Sequence, residues 1–432
     1  MQEYTEIAEN FANVADLHLT DVATEIAKDA TDITIPAGYY LLVDTEEIAE
    51  GTNAARNSAL LQLTNYYTIE MSKKYDLPTS DKDITKVTDV NMNTKFVGAT
   101  EVVDAEIGDI IEFTLVARLP SNFNDYEIYH FAFHDNLSEG MELLETEDNI
   151  RIFRNGTEDI TFYFEISNEV NEKGNLHIEC ESLKDIYNLM NCDFIMVKYS
   201  AKLTDKAVIG SAGNPNTMYV EYSNNPNHDG NGQYGKTVED EVIVFTYELD
   251  VNKVDGSSSD KKLANAEFVL LNADGTKVAT VVNGVLTGWE NVPGEDETWP
   301  ANTTLKSDAN GQFIIKGLDS ATYYLRETKA PAGYNLLTDD VKLVITATLT
   351  PDKNNVEDEA KLTALKIQVG DNREQDGTLT TGIVEATIAN NKGATLPETG
   401  GMGTTIFYVI GAVLVIGAGV LLVTRRRMNT EA

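Results

Sequence analysis

The C-terminal end of the chain limits what everything before it can be. Eighteen uncharged residues run from Ile406 to Val423 and are followed, after Thr424, by Arg425, Arg426 and Arg427. At ~1.5 Å per residue a helix of that length reaches roughly 27 Å, close to the ~30 Å apolar core of a bilayer. The sequence therefore predicts a membrane-spanning helix over residues 405–424. Positive flanks stay cytoplasmic, so the arginines orient this span and leave the chain before Leu396 facing outward.

At 432 residues the chain has room for roughly two to four domains, each with its own core. It holds 33 Lys and Arg against 70 Asp and Glu, a formal net charge of −37, which argues against nucleic acid or an anionic membrane surface as a partner. Only Cys180 and Cys192 are present, too few for a disulfide framework; a 180–192 disulfide and two free thiols both stay open. The opening residues, Met1-Gln-Glu-Tyr-Thr-Glu, contain neither the basic nor the apolar part of a signal peptide. A chain bound for the outside needs one, so the sequence reads as lacking its front.

Taken in order, residues 1–77 read as the end of a domain: helical patterns at Glu6 to Ala15 and Val22 to Ala27, then strands at Ile33 to Val43 and Ala59 to Ile69. From 78 to 247 strands dominate, at Ile110 to Val116, Tyr126 to Phe133, Ile160 to Ile166, Phe194 to Tyr199, Met218 to Tyr222 and Val242 to Tyr247. Turn residues such as Asn155-Gly156 separate them. Residues 248–392 continue in the same style, and 393–432 hold the terminal segment. The fold class expected is mainly β, tandem immunoglobulin-like β-sandwich domains followed by the C-terminal transmembrane helix.

Alternation along a strand puts residues two apart on one face, which singles out polar residues aimed inward. Lys253 shares a face with Tyr247, Leu249 and Val251; Glu327 with Tyr323 and Leu325; Asn390 with Val384, Ala386 and Ile388. Lys and Glu are almost never fully buried unless paired. Burial favours a neutral amine and a neutral acid, the states in which Lys253 can attack the Asn390 carboxamide while Glu327 donates a hydrogen bond to its oxygen, moves protons and lets ammonia leave. The alternative is a buried Lys253–Glu327 salt bridge. Asn391 is the neighbour of Asn390, but alternation turns it outward. A parallel set lies upstream: Lys86 beside Ile84, Asp135 beside Phe131 and Phe133, and Asn216 beside Met218, with Asn214 as a rival on the same face. There the alternative for Lys86 is a solvated strand start.

Other signals point to no cofactor and no metal. Asn225-Pro-Asn-His-Asp229-Gly230 begins like a calcium loop, but its twelfth position is Lys236 instead of Glu. His130 and His134 read as surface histidines. No nucleophile elbow, phosphate-cradling loop or Cys-x-x-Cys pair occurs.

Leu396-Pro397-Glu398-Thr399-Gly400, the apolar segment and the basic tail together resemble the cell-wall sorting signal of Gram-positive surface proteins. The resemblance implies that a sortase cuts between Thr399 and Gly400 and passes the threonine carboxyl to an amine. Tyr323 to Tyr334, reading YYLRETKAPAGY, resembles the E-box of pilins and Cna B-type domains, and FAFHDNLSEG from Phe131 and NTMYVEYSNNP from Asn216 resemble the second domain of backbone pilins. What the family implies is a sortase-assembled, wall-anchored pilus subunit, not an enzyme, with isopeptide bonds formed by each Lys, acid and Asn. Its partners would be sortase, other pilin subunits, peptidoglycan and a host surface ligand. The intersubunit amine that the family implies falls on Lys74, with Lys73 close by; the Tyr-Pro-Lys context of the family is replaced here by Met71-Ser72-Lys73. A non-polymerised adhesin or accessory pilin made of the same modules, or an extracellular enzyme with β spacers, would share most of these features.

Overall fold

Period-two patterning is carried through most of the strands. In Phe194–Leu203, for instance, Ile195, Val197, Tyr199, Ala201 and Leu203 are buried and the residues between them are not. A computed structural model describes residues 36–43, 48–49, 51–56, 58–63, 76–89, 92–144, 150–226, 234–294, 296–351, 361–392, 414–416 and 418. Lys73, Lys74, the Leu396–Gly400 motif, the arginine tail, the two N-terminal helical patterns and residues 227–230 lie outside them. So does most of the expected membrane span, and among the described residues no helix is long and apolar enough to cross a membrane.

Gly38–Val43 and Ser58–Leu63 form an antiparallel pair, with Gly38 opposite Leu63. Two seven-stranded sheets follow. One runs in the order Glu158–Asp159, Arg151–Arg154, Phe194–Leu203, Ile110–Arg118, Thr79–Thr88, Thr94–Thr100, with Met141–Leu143 added beside Phe194–Leu203. The other is ordered Glu165–Ser167, Leu176–Cys180, Phe131–Leu137, Asn214–Ser223, Asp240–Phe245, Val102–Asp104, with Tyr234–Lys236 beside Asn214–Ser223. Ile84, Phe113, Leu115 and Tyr199 from the first and Phe133, Val220 and Tyr222 from the second meet in one core.

A twelve-stranded sheet begins at Tyr247 and encloses a separate core built on Leu249, Val251, Phe268, Leu270, Leu325, Leu343 and Val384. Its first strand, Tyr247–Asp255, pairs in parallel with its last, Ile383–Asn390, from Glu248 opposite Ile383 to Asp255 opposite Asn390.

Two local readings change. The segment expected as a strand from Tyr126 begins only at Phe131, after a 3-10 turn at Phe123–Asp125. Tyr126 and Tyr129 pack edge-on at 4.8 Å between ring centroids, and Tyr129 meets Phe123 at 5.1 Å, so the aromatic residues there build a loop cluster instead of a ladder. Ile160 to Ile166 likewise splits into a 3-10 turn at Thr161–Tyr163 and a short strand at Glu165–Ser167.

Candidate functional site: two buried lysine, acid and asparagine sets

In the twelve-stranded unit, Lys253 comes from the first strand, Asn390 from the end of the last, and Glu327 from Thr322–Lys329. The parallel register sets Lys253 opposite Ile388, two residues before Asn390, and the inward faces of these strands bring all three side chains into the core. The side chains of Lys253 and Glu327 are fully buried, 3.5 Å apart from Nζ to Oε1. Lys253 Nζ donates to Asn390 Oδ1 and, at 3.4 Å, to the Ile388 carbonyl, and lies 5.4 Å from the Phe268 ring centroid. Burial lowers its pKa to about 8 against the opposing pull of Glu327, a shift toward the neutral amine.

Glu327 is turned toward the other end of the carboxamide. Asn390 Nδ2 donates to both Glu327 oxygens, at 3.0 and 2.8 Å, and to the Asn335 carbonyl at 2.8 Å, while Leu337 N–H donates to Glu327 Oε2 at 2.9 Å. The expected contact between Glu327 and the Asn390 oxygen is replaced by one with its nitrogen, because Lys253 occupies the oxygen. Asn391 is exposed.

In the two-sheet unit the acid and the asparagine are where alternation puts them, but the lysine is a different one. Lys82 is 1% exposed, and its Nζ donates to Asp135 Oδ1 at 2.8 Å and Oδ2 at 2.7 Å. Lys86 is only half-buried, opposite Glu112 and Val97. The cause is a register shift between Ile84 and Lys86 against both neighbouring strands. A bulge adds one residue and hands the inward face to Val87, so Lys82 and Ile84 point into the core and Lys86 does not.

Asn216 is buried, with Met218 two residues on paired to Asp135. Asn214 is buried too but spent on backbone: it donates to the Val208 and Val244 carbonyls, each at 3.1 Å, and accepts from Val208 N–H at 2.8 Å. Burial lowers the Lys82 pKa, against the pull of Asp135, and raises that of Asp135, against the pull of Lys82, so both are pushed toward their neutral forms. Sequence reasoning missed Lys82 and also Tyr199. For Lys82 the signal was present, since it shares the face of Ile84 as Lys86 would in an unbroken strand; Tyr199 reads simply as a core aromatic.

His130 and His134 are not surface histidines: they are 6% and 4% exposed, and His134 Nδ1 lies 2.9 Å from His177 Nδ1. Cys180 is buried, Cys192 exposed, and both are free.

The prealbumin-like fold domain (SpaA) matches residues 247–360, and the LPXTG cell wall anchor motif matches residues 388–430. The trypsin-resistant surface T6 protein of Streptococcus pyogenes serotype M6 is 29% identical over 421 residues, which cover 82% of this chain and 70% of that protein. The solved T6 backbone pilin of serotype M6 Streptococcus pyogenes shares the fold, with a TM-score of 0.53 at 20% identity, covering 90% of this chain and 88% of that one.

Tandem β units that end in an LPXTG anchor define a cell-wall-anchored surface protein, a substrate of sortase and not itself an enzyme. Within that class the chain is similar to the T6 surface protein in sequence and shares its fold with the T6 backbone pilin.

Proposed function

We propose that the chain is a backbone pilin, a structural subunit of a sortase-assembled, wall-anchored pilus, and that it locks itself with two internal amide bonds, Lys253 to Asn390 and Lys82 to Asn216, before sortase joins it to its neighbours. The observation that carries the reading is the Lys253, Glu327 and Asn390 contact set: an amine on the carboxamide oxygen and a carboxylate on its nitrogen, all buried. The neutral Lys253 amine attacks Asn390 Cγ and the Cγ–Nζ bond forms. A proton from Nζ passes through Glu327 to Nδ2, the Cγ–Nδ2 bond breaks, and ammonia leaves. Folding supplies the proximity, which can replace about 7 to 11 kcal/mol of barrier.

The division into 1–77, 78–247, 248–392 and 393–432 belongs to the same reading, and is supported by two separate cores in the middle of the chain. Between subunits, the Thr399 carboxyl freed from Gly400 would be joined to Lys74, with Lys73 as the alternative amine, and the last subunit to peptidoglycan. The fibre would then hold the cell to a host surface ligand. The intact mass of the purified chain tests the internal bonds: two ammonias lighter than the sequence is expected, and an unaltered mass ends the proposal. Lys74→Ala tests the polymer: the high-mass ladder on a denaturing gel disappears if Lys74 is the joining amine and persists if it is not.

A further inference from the structure

The two sets differ in what touches the amide nitrogen. In the twelve-stranded unit the Glu327 carboxylate itself accepts from Asn390 Nδ2 at 2.8 and 3.0 Å. In the two-sheet unit the acid is Asp135, one methylene shorter, and both its oxygens are taken by Lys82 Nζ. Asn216 Nδ2 instead donates to the Tyr199 hydroxyl at 2.7 Å. That hydroxyl donates to Asp135 Oδ2 at 2.8 Å and stands 3.3 Å from Lys82 Nζ. It thus touches the nucleophile, the acid and the leaving nitrogen. The ring is held by stacking on Phe113, with centroids 5.3 Å apart, and is 1% exposed, so the hydroxyl has a fixed place. A tyrosine that served packing alone would need no such bonds beyond its own satisfaction, yet these three groups are the ones an amide exchange must link.

We infer that Tyr199 is a catalytic residue of the Lys82–Asn216 condensation, relaying a proton between Asp135 and the departing Asn216 nitrogen across the gap that the shorter acid leaves. The inference rests on the reading that this set condenses at all. In the step, Lys82 Nζ bonds to Asn216 Cγ and gives up a proton to Asp135. Tyr199 passes its own proton to Nδ2 and recovers one from Asp135, and ammonia leaves as the Cγ–Nδ2 bond breaks. No other reactant is needed. Burial supports the neutral amine that the attack requires.

The test is Tyr199→Phe in the full chain, which keeps the ring and removes only the hydroxyl, read by peptide mapping over time after synthesis. Wild type should give branched peptides at both sets. Y199F should give the Lys253–Asn390 branch at the normal rate and form the Lys82–Asn216 branch about a hundredfold more slowly or not at all, the loss typical of removing a proton-transfer group. Y199F should stay folded and melt below wild type, as a unit without its link does, but above Lys82→Ala, which in addition leaves Asp135 buried without its partner. The double variant Y199F with Asp135→Glu, whose longer acid reaches as Glu327 does, should regain the branch. A normal Lys82–Asn216 branch in Y199F, or no recovery in a folded double variant, overturns the role of Tyr199 while leaving the two-bond reading intact. Absence of that branch in wild type overturns both at this set.

Discussion

At the scale of single residues, each lysine is held in the core by what it touches. Lys253 is sealed from solvent and faces a carboxylate, a carboxamide, a carbonyl and the Phe268 ring. Removing one partner of a buried pair typically costs about 3–5 kcal/mol, because the other charge stays behind unpaired. Glu327→Ala should therefore abolish the Lys253–Asn390 link and lower the stability of its unit by at least that amount, as read from denaturant midpoints. Measured against each variant's own sequence mass, Lys82→Ala should be short by one ammonia instead of two, whereas Lys86→Ala should keep the two-ammonia deficit and shift stability by no more than about 0.5 kcal/mol, as expected where no buried pair is broken. The first set was legible from alternation alone because Tyr247–Asp255 and Ile383–Asn390 pair without a register shift from Glu248 to Asp255. The second was legible only for Asp135 and Asn216, since a bulge between Ile84 and Lys86 cannot be seen in Lys82-Asp-Ile-Thr-Lys86 taken alone. The contacts of Tyr199 depend on the spacing of facing sheets, which no single strand records.

At the scale of elements, the parallel pairing of Tyr247–Asp255 with Ile383–Asn390 decides how the unit bears load. Pulled from the two chain ends, these strands are sheared past each other. An amide between Lys253 and Asn390 carries the force directly from one to the other and bypasses residues 254 to 389. Force-extension traces of the chain should then show no lengthening from those residues, and Glu327→Ala should release them as an added unfolding step. Lengthening in the unaltered chain would show that the strands are not joined. Strand positions were legible where apolar and polar residues alternate, as in Phe194–Leu203. They were misread at Tyr126 to Tyr129, where consecutive aromatic rings pack on one another and not across a ladder.

At the scale of the whole molecule, the two described β units meet at a cluster that the sequence did not reveal. Lys95 Nζ lies 3.1 Å from Glu106, 2.8 Å from Asp109 and 2.9 Å from Asp319, the last from the following unit. Tyr323 donates to Asp319 Oδ1 at 2.6 Å and Glu106 Oε1 at 2.9 Å, and Trp289 Nε1 to Glu106 Oε2 at 3.2 Å. Asp104 accepts from Ser320 N–H at 2.9 Å.

Burial, with Asp319 nearby and Lys95 opposing, pushes the Glu106 pKa up to about 7; burial against the pull of Lys95 takes Asp109 to about 6. Burial works against the Lys95 ammonium, but the three carboxylates outweigh it and hold its pKa above the ordinary lysine range. A carboxyl whose folded pKa is raised binds more protons folded than unfolded, so its contribution is complete below an unfolded value of about 4 and is lost as pH rises toward 7. The junction should loosen between about pH 4 and pH 7, seen as a falling protection factor, the exchange rate taken relative to the unfolded amide at the same pH, at Ile107 N–H, which donates to the Gly317 carbonyl at 2.9 Å. Gly317 has φ +91° and an added Cβ would stand 2.4 Å from Ile107 Cδ1, so Gly317→Ala should open the same junction at any pH without affecting either internal bond. A protection factor at Ile107 that is flat with pH and unchanged in G317A would refute this account of the joint.

The claim on which the rest depends is that an amine, an acid and a carboxamide buried together in a sheet-lined core react. Tandem mass spectrometry of a digest of the full chain tests it most directly. The account predicts one branched species containing Lys253 and Asn390, lighter than its two linear peptides by one ammonia; separate linear peptides, with no branched species at any time after folding, would contradict it.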